Sequence, residues 1–173
     1  SNNAIMSLAD TVLPRLISGN IYSIENSDNE VLLMMDKCSG VDLIRKNQKG
    51  LQGVAVRVQF NSDFRTFTIR SKRHTGSRTE LEKRIEQINE GYFYPAYTIQ
   101  AYFQNRKEPR LNSIAIIKTK DLYEFIQNKE EMVHSRSSDN EFKYCYWRDL
   151  FKYGCSIKAL ESIDGEIVRI LKK

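Results

Sequence analysis

The residues best suited to chemistry lie in two neighbouring stretches. Gly40-Val41-Asp42-Leu43-Ile44 sets one carboxylate into a short apolar run, and Val54–Phe60 alternates so that Arg57 and Gln59 share a side away from the valines. A carboxylate and an amide on adjacent strands can offer oxygens to a divalent cation, and a guanidinium beside them can neutralise a phosphate. Arg57 can supply charge only, because arginine does not deprotonate in proteins. The following stretch is strongly basic. From Arg65 to Arg84 the chain carries Arg65, Arg70, Lys72, Arg73, Arg78, Lys83 and Arg84 against Glu80 and Glu82, seven minus two, or +5, which equals the formal charge of the whole chain. A positive field focused on one segment points to a polyanionic partner.

Other chemistries find little support. The three cysteines, Cys38, Cys145 and Cys155, are an odd number at wide spacing, so they build neither a disulfide framework nor a metal knuckle. Two histidines, His74 and His134, are too few for a histidine metal site, and His74 reads as a loop residue. With 40% hydrophobic and 28% charged residues, 173 residues can fold around a real core. No apolar run reaches the roughly 18 residues of a membrane span. The start lacks the basic segment and apolar run of a signal peptide, so no membrane partner and a cytoplasmic location are expected.

Several elements must position these residues. Ile5–Ile17 has loose helical spacing with Pro14 near an end or kink, and Gly19-Asn20 stops it. A second helix is expected from Asn29 to Cys38, capped by Asp28 or Asn29 and ended by Gly40. Strands are expected at Val41–Arg45, Val54–Phe60 and Arg65–Ser71. If the last two form a hairpin with the loop Asn61–Phe64, the register pairs Val58 with Phe67 and Val56 with Ile69. Arg57, Gln59, Thr66, Thr68 and Arg70 then share one polar face. Ser77-Arg78-Thr79-Glu80 reads as a capping box, followed by Leu81, Ile85 and Ile88 on one helical face, with Gly91 as the stop. Glu80 and Arg84 are spaced to pair.

After the aromatic turn Tyr92–Pro95, strands are expected at Ala96–Phe103 and Ser113–Lys118, and a helix capped by Thr119 runs to about Asn128. Lys129–Asn140 reads as a mobile polar loop. A short strand or turn follows around Tyr144, Trp147 and Leu150, and Ile157–Leu171 fits helix or strand. The rings of Tyr92, Phe93, Tyr94, Tyr97, Tyr102 and Phe103 read as core and rim. The expected division is an N-terminal helical segment at 1–28, an α/β core at 29–130 and an extension packed on it at 131–173.

The order helix, three strands, helix, strand over about Asn29–Phe103 resembles the core of PD-(D/E)xK nucleases. FTIRSKRHTGSRTELEKR and GYFYPAYTIQAYF are also similar to uncharacterised proteins of phages and bacterial mobile elements. The resemblance implies an α/β fold with a mixed central sheet flanked by helices, a restriction-endonuclease-like αβββαβ core and a C-terminal extension. It implies Asp42 as metal ligand, with Arg57 and Gln59 at the catalytic strand, and Mg²⁺ as cofactor if catalysis is retained. Where that family carries Glu-x-Lys, this strand reads Ala55-Val56-Arg57 or Arg57-Val58-Gln59. A second carboxylate would have to come from Glu30, Asp36 or Glu80.

The expectation is therefore a protein that binds nucleic acid, DNA foremost, on a nuclease-like scaffold with reduced or lost catalysis. Arg70, Lys72, Arg73, Arg78 and Arg84 are the expected phosphate contacts, helped by the helix start at Ser77. The alternatives are an active metal-dependent DNA nuclease, and an accessory protein whose basic patch meets an acidic protein.

Overall fold

A computed structural model describes residues 2–25, 27–137 and 139–172. The N-terminal segment forms two short helices, α1 (Asn2–Met6) and α2 (Leu13–Leu16), with Pro14 in the first turn of α2, where its missing N–H costs nothing. Strand β1 (Asn20–Ser23), which the sequence did not announce, follows directly. Helix α3 (Glu30–Ser39) begins where Asn29 accepts from the N–H groups of Val31 and Leu32 and ends at Gly40, whose left-handed φ of 63° suits a residue without Cβ.

Two sheets organise the rest. Strands β2 (Leu43–Asn47), β3 (Gly50–Phe60), β5 (Tyr97–Phe103), β6 (Leu111–Lys118), β9 (Ile157–Ile163) and β10 (Glu166–Ile170) join β1 in a seven-stranded sheet, order β1-β2-β3-β5-β6-β9-β10. Within it only β3 and β5 are parallel; the remaining pairs are antiparallel. Strands β4 (Thr66–Lys72), β7 (His134–Ser137) and β8 (Glu141–Tyr146) form a separate antiparallel sheet, order β4-β8-β7. Helices α4 (Glu80–Glu90), α5 (Thr119–Asn128) and α6 (Trp147–Tyr153) complete the chain. The chain is thus mixed α/β, with a mixed but mostly antiparallel main sheet. The first segment contributes β1 and the last contributes β9 and β10 to that one sheet.

Alternation sorts the main sheet into two faces. Val54, Val56, Val58, Phe60, Ile99, Ala101, Phe103, Ile114 and Ile116 pack with α1 and α2. On the opposite face Tyr102, Ala115, Ile117 and Ala159 pack with Phe67 and Ile69 of β4, with α5 and α6, and with Leu81, Ile85 and Ile88 of α4. A small third cluster, Ile24, Val41 and Ile44, lies under Leu32 and Met35 of α3.

The expected β3–β4 hairpin does not form. Along Val54–Phe60, β3 is paired with β5, and the N–H of Asn61 is already held by Phe103 O. The connecting loop opens and closes with left-handed residues, Asn61 (φ 59°) and Arg65 (φ 53°), and β4 pairs with β8 instead. The supposed mobile loop at Lys129–Asn140 supplies a turn of 3-10 helix at Glu130–Met132 and strand β7. Trp147 and Leu150 lie on α6 rather than a strand, and the ambiguous Ile157–Leu171 is the β9–β10 hairpin. Thr119 is the first residue of α5, not its cap; its hydroxyl meets that of Thr98 at 2.9 Å.

Candidate functional site

The polar face of β3 carries Arg57 and Gln59. In the parallel register they lie beside Gln100 and Tyr102 of β5. In the second sheet, Thr66, Thr68 and Arg70 of β4 are paired with Tyr146, Tyr144 and Phe142 of β8 and share their face, while Phe67 and Ile69 turn to the core. The two sheets present these faces to one another across a cleft of about 650 Å³. It is lined by the polar residues of β3 and β4, by Phe64, by Ser135 and Arg136 of β7, and by the three rings of β8. The grouping of Arg57, Gln59, Thr66, Thr68 and Arg70 expected from a shared sheet face is thus reached by a different route, with two sheets facing each other.

Buried polar bonds hold the sheets at this spacing. The Tyr102 hydroxyl lies 2.9 Å from Thr66 Oγ1, donates to Thr66 O at 3.0 Å, and receives the Thr66 N–H. Burial is the main reason that its proton is held more tightly than an ordinary phenol's. Gln100, 1% exposed, accepts from the Thr68 N–H and donates to Gln59 Oε1 at 3.3 Å. Gln100 was not singled out in the sequence, where it is one polar residue in an apolar strand.

Behind Arg57 and Thr68 the cleft continues into a pocket of about 230 Å³ that also includes Asp42, Glu80, Arg84, Thr98 and Gln100. Asp42 stands just before β2. Its Oδ2 accepts from the Val56 N–H at 2.6 Å, serving an edge of β3 that β2 does not reach. Burial, offset in part by that N–H and reinforced by the charges of Asp36, Glu80 and Glu25, raises Asp42 to about 6. Glu80, in the first turn of α4, receives Arg57 Nη2 at 2.7 Å. It does not pair with Arg84.

The basic residues separate into different roles. Arg84, 5% exposed, donates to Ser39 O at 2.6 Å and to Gln87 at 2.8 Å, closing the carbonyl end of α3 from inside the protein. Arg78 pairs with Glu86, and Arg65 with Glu161. Lys72 is exposed, and His74 sits in an exposed turn. Arg70 and Arg73 each have a buried Nε with no hydrogen-bond partner among the described residues. Arg57 and Arg70 both lie over the Phe142 ring, at 5.9 and 5.5 Å.

The helix start also differs from the expected capping box. Thr79, not Ser77, is the cap of α4, and Glu82, not Glu80, is its acidic partner: Thr79 Oγ1 accepts from the Glu82 N–H, and the Glu82 carboxylate accepts from the Thr79 N–H at 2.8 Å. These bonds hold the Glu82 carboxyl below its ordinary value. The donors expected to greet a phosphate are therefore partly occupied by the chain's own carboxylate.

The metal expectation meets a thin donor set. Asp42 and Glu80 enter one pocket, but Glu80 is engaged by Arg57, and one oxygen of Asp42 is taken by Val56. Asp36 is near enough to raise Asp42, whereas Glu30 lies in the first turn of α3. Among the described residues, no three acidic, histidine or cysteine side chains converge as metal ligands. The arrangement does not, as it stands, form a metal centre.

Phe64, Arg136, Phe142, Tyr144 and Tyr146 line the cleft although the sequence did not announce them as site residues. The signal was present in Phe142-Lys143-Tyr144-Cys145-Tyr146, where aromatic residues alternate at strand spacing. Of the rings expected as core and rim, Tyr102 and Phe103 are buried, and Tyr92 and Phe93 are exposed. No helix is long and apolar enough to cross a membrane among the described residues. No family model, no curated protein and no solved structure matches this chain.

Proposed function

We propose that the cleft between the two sheets binds the phosphate backbone of a nucleic acid, DNA foremost, and that the chain is a binding protein on a nuclease-like core with reduced catalysis. The observation that carries this reading is the cleft lining. Arg57, Arg70 and Arg136 enter it, no carboxylate does, and neither Arg70 nor Arg136 has an acidic partner among the described residues. A concave site with uncompensated guanidinium groups raises the local concentration of anions and suits phosphate oxygens. The nuclease-like part rests on the chain order α3-β2-β3-β4-α4-β5 and on Asp42 lying in one pocket with Ala55 and Arg57; the placement of β4 in the second sheet, away from β3, counts against it.

The test is binding of fluorescein-labelled DNA over a salt series. Each neutralised phosphate contributes about −0.7 for single strands and −0.9 for duplex to the slope of log K against log salt. Replacing Arg70 and Arg136 together by Ala should flatten the slope by roughly 1.5 units and weaken all sequences alike. A folded double variant with unchanged affinity and slope would overturn the reading, and competition by polyglutamate would then favour an acidic protein partner.

A second reading, metal-dependent cleavage, is favoured by the two carboxylates that line one pocket. It requires Arg57 to release Glu80. Cleavage of plasmid DNA with added Mg²⁺ or Mn²⁺, abolished in Asp42→Asn while binding persists, would establish it; no cleavage with either metal removes it.

A further inference from the structure

The rings of the cleft carry an inference that rests on the nucleic-acid reading and makes it more specific. Phe142, Tyr144 and Tyr146 occupy alternate positions of β8 and therefore project from one face, the face that lines the cleft. The Tyr144 and Tyr146 rings meet edge to face at 5.8 Å. His134 of β7 lies nearly parallel to Tyr144 at 5.2 Å and edge-on to Tyr146 at 5.3 Å, so the rings are held by their neighbours rather than by a ligand. Tyr146 is 37% exposed and Phe64 is 55% exposed, which places them at the mouth; Arg57 and Thr68, shared with the inner pocket, mark the deep end.

Phosphate recognition gives a use to Phe142, which lies under the Arg57 and Arg70 guanidinium groups, but none to the exposed ring of Phe64. A cleft that combines guanidinium groups with the exposed rings of Tyr146 and Phe64 matches a ligand that alternates phosphate with flat, weakly hydrated rings. In a duplex the faces of the bases are covered by their neighbours, and only edges and backbone are open to a protein. A site of about 650 Å³ accepts a group of nucleotide size, not a double helix.

We propose that the cleft takes an unpaired nucleotide of a polynucleotide strand, with its base against Tyr146 or Phe64 and its flanking phosphates on Arg57, Arg70 and Arg136. Gln59, Thr68 and Ser135 line the same space and offer donors and acceptors to the base edge. Single-stranded segments, overhangs and frayed ends are then the preferred targets, and paired regions bind through backbone contacts only.

Four probes test this by fluorescence anisotropy at one fixed salt concentration. They are a short oligothymidylate, an abasic strand of equal length and charge, a blunt duplex, and free thymidine monophosphate. The oligothymidylate should bind at least fivefold more tightly than the abasic strand, the lower end of what one base–ring stack contributes. Tyr146→Leu and Phe64→Leu, which keep an apolar side chain, should remove most of that preference. Equal affinity for the oligothymidylate and the abasic strand overturns the proposal, as does an undiminished preference in both variants. The wild-type comparison decides the matter even if a variant does not fold. Free thymidine monophosphate binding as tightly as the strand would also overturn it, in favour of a mononucleotide site. The two readings fail differently. If abasic strand, duplex and oligothymidylate bind alike and Arg70→Ala/Arg136→Ala weakens them all, the backbone reading stands without the stack; if no strand binds, both fall.

Discussion

Asp42 should destabilise the protein at neutral pH, and removing its charge should stabilise it. The carboxyl is raised from 3.8 to about 6, chiefly by burial. Below about pH 3 the group is neutral in both folded and unfolded chains, and the raised value imposes no penalty. As pH climbs towards 6 the unfolded chain ionises first, so stability falls; above about pH 6 both forms are ionised and the full penalty is present. A shift of about two units corresponds to about 3 kcal/mol at 1.36 kcal/mol each. Asp42→Asn keeps an oxygen for the Val56 N–H, now at 2.6 Å from Oδ2, and drops the charge that Asp36, Glu80 and Glu25 oppose.

The variant should therefore be more stable than wild type by up to about 3 kcal/mol at pH 7.5, or roughly 6–12 °C in Tm for a chain of this size. The difference should shrink to about 0.5 kcal/mol at pH 4 and vanish below about pH 3. Chemical unfolding of both proteins across this range isolates the Asp42 contribution, because groups common to both cancel in the difference. A gain of equal size at both ends of the range would point to repacking rather than charge. A variant less stable than wild type at pH 7.5 would refute the reasoning, since it would mean that the ionised carboxylate stabilises the fold.

Tyr102→Phe should cost about 2 kcal/mol in urea unfolding with an unchanged m value, because it strands the buried N–H and hydroxyl of Thr66 that tie the two sheets together. Arg84→Met should cost about 2–3 kcal/mol by the same measurement, since Ser39 O and Gln87 lose a buried charged donor. Replacing Lys72, Arg73 and Arg78 together by Ala should change the salt slope of DNA binding less than Arg70→Ala/Arg136→Ala does, because Arg78 is paired with Glu86 and the start of α4 is capped from within; a larger change would move the phosphate contacts to that helix start.

Local features were legible where the signal was itself local. Asn29 and Gly40 bound α3, Gly91 closes α4 with φ of 71°, and the alternation of β3 and β5 separates valines and isoleucines from Arg57, Gln59 and Gln100. Pairing was not legible in the same way. Val58–Phe67 and Val56–Ile69 made a consistent hairpin, yet alternation constrains which side chains share a face and says nothing about which strand will occupy an edge. β5, arriving after α4, takes the edge of β3, and β4 finds β8 more than seventy residues further on, near Tyr146 opposite Thr66. The capping box shows the same limit at short range. Ser77 and Thr79 both precede an acid three residues later; the helix starts after Thr79, with Glu80 held by Arg57 and Ser77 bonded to Thr75.

The excess charge illustrates why composition located a region but not a surface. The segment Arg65–Arg84 carries +5, yet its members point to different ends. Arg84 closes a helix inside the protein, Arg65 and Arg78 are spent on Glu161 and Glu86, and Arg70 is open to the cleft. Its two partners at the cleft, Arg57 and Arg136, come from outside the segment, from β3 and β7. A basic run in sequence is a sum over side chains, whereas an anion responds to converging guanidinium groups that lack a carboxylate partner, here Arg70 and Arg136 but not Arg57, which holds Glu80. On the proposed reading, phosphates are therefore expected not at the start of α4 but in the gap between two sheets, where the rings of β8 would add what charge cannot: a surface for the base.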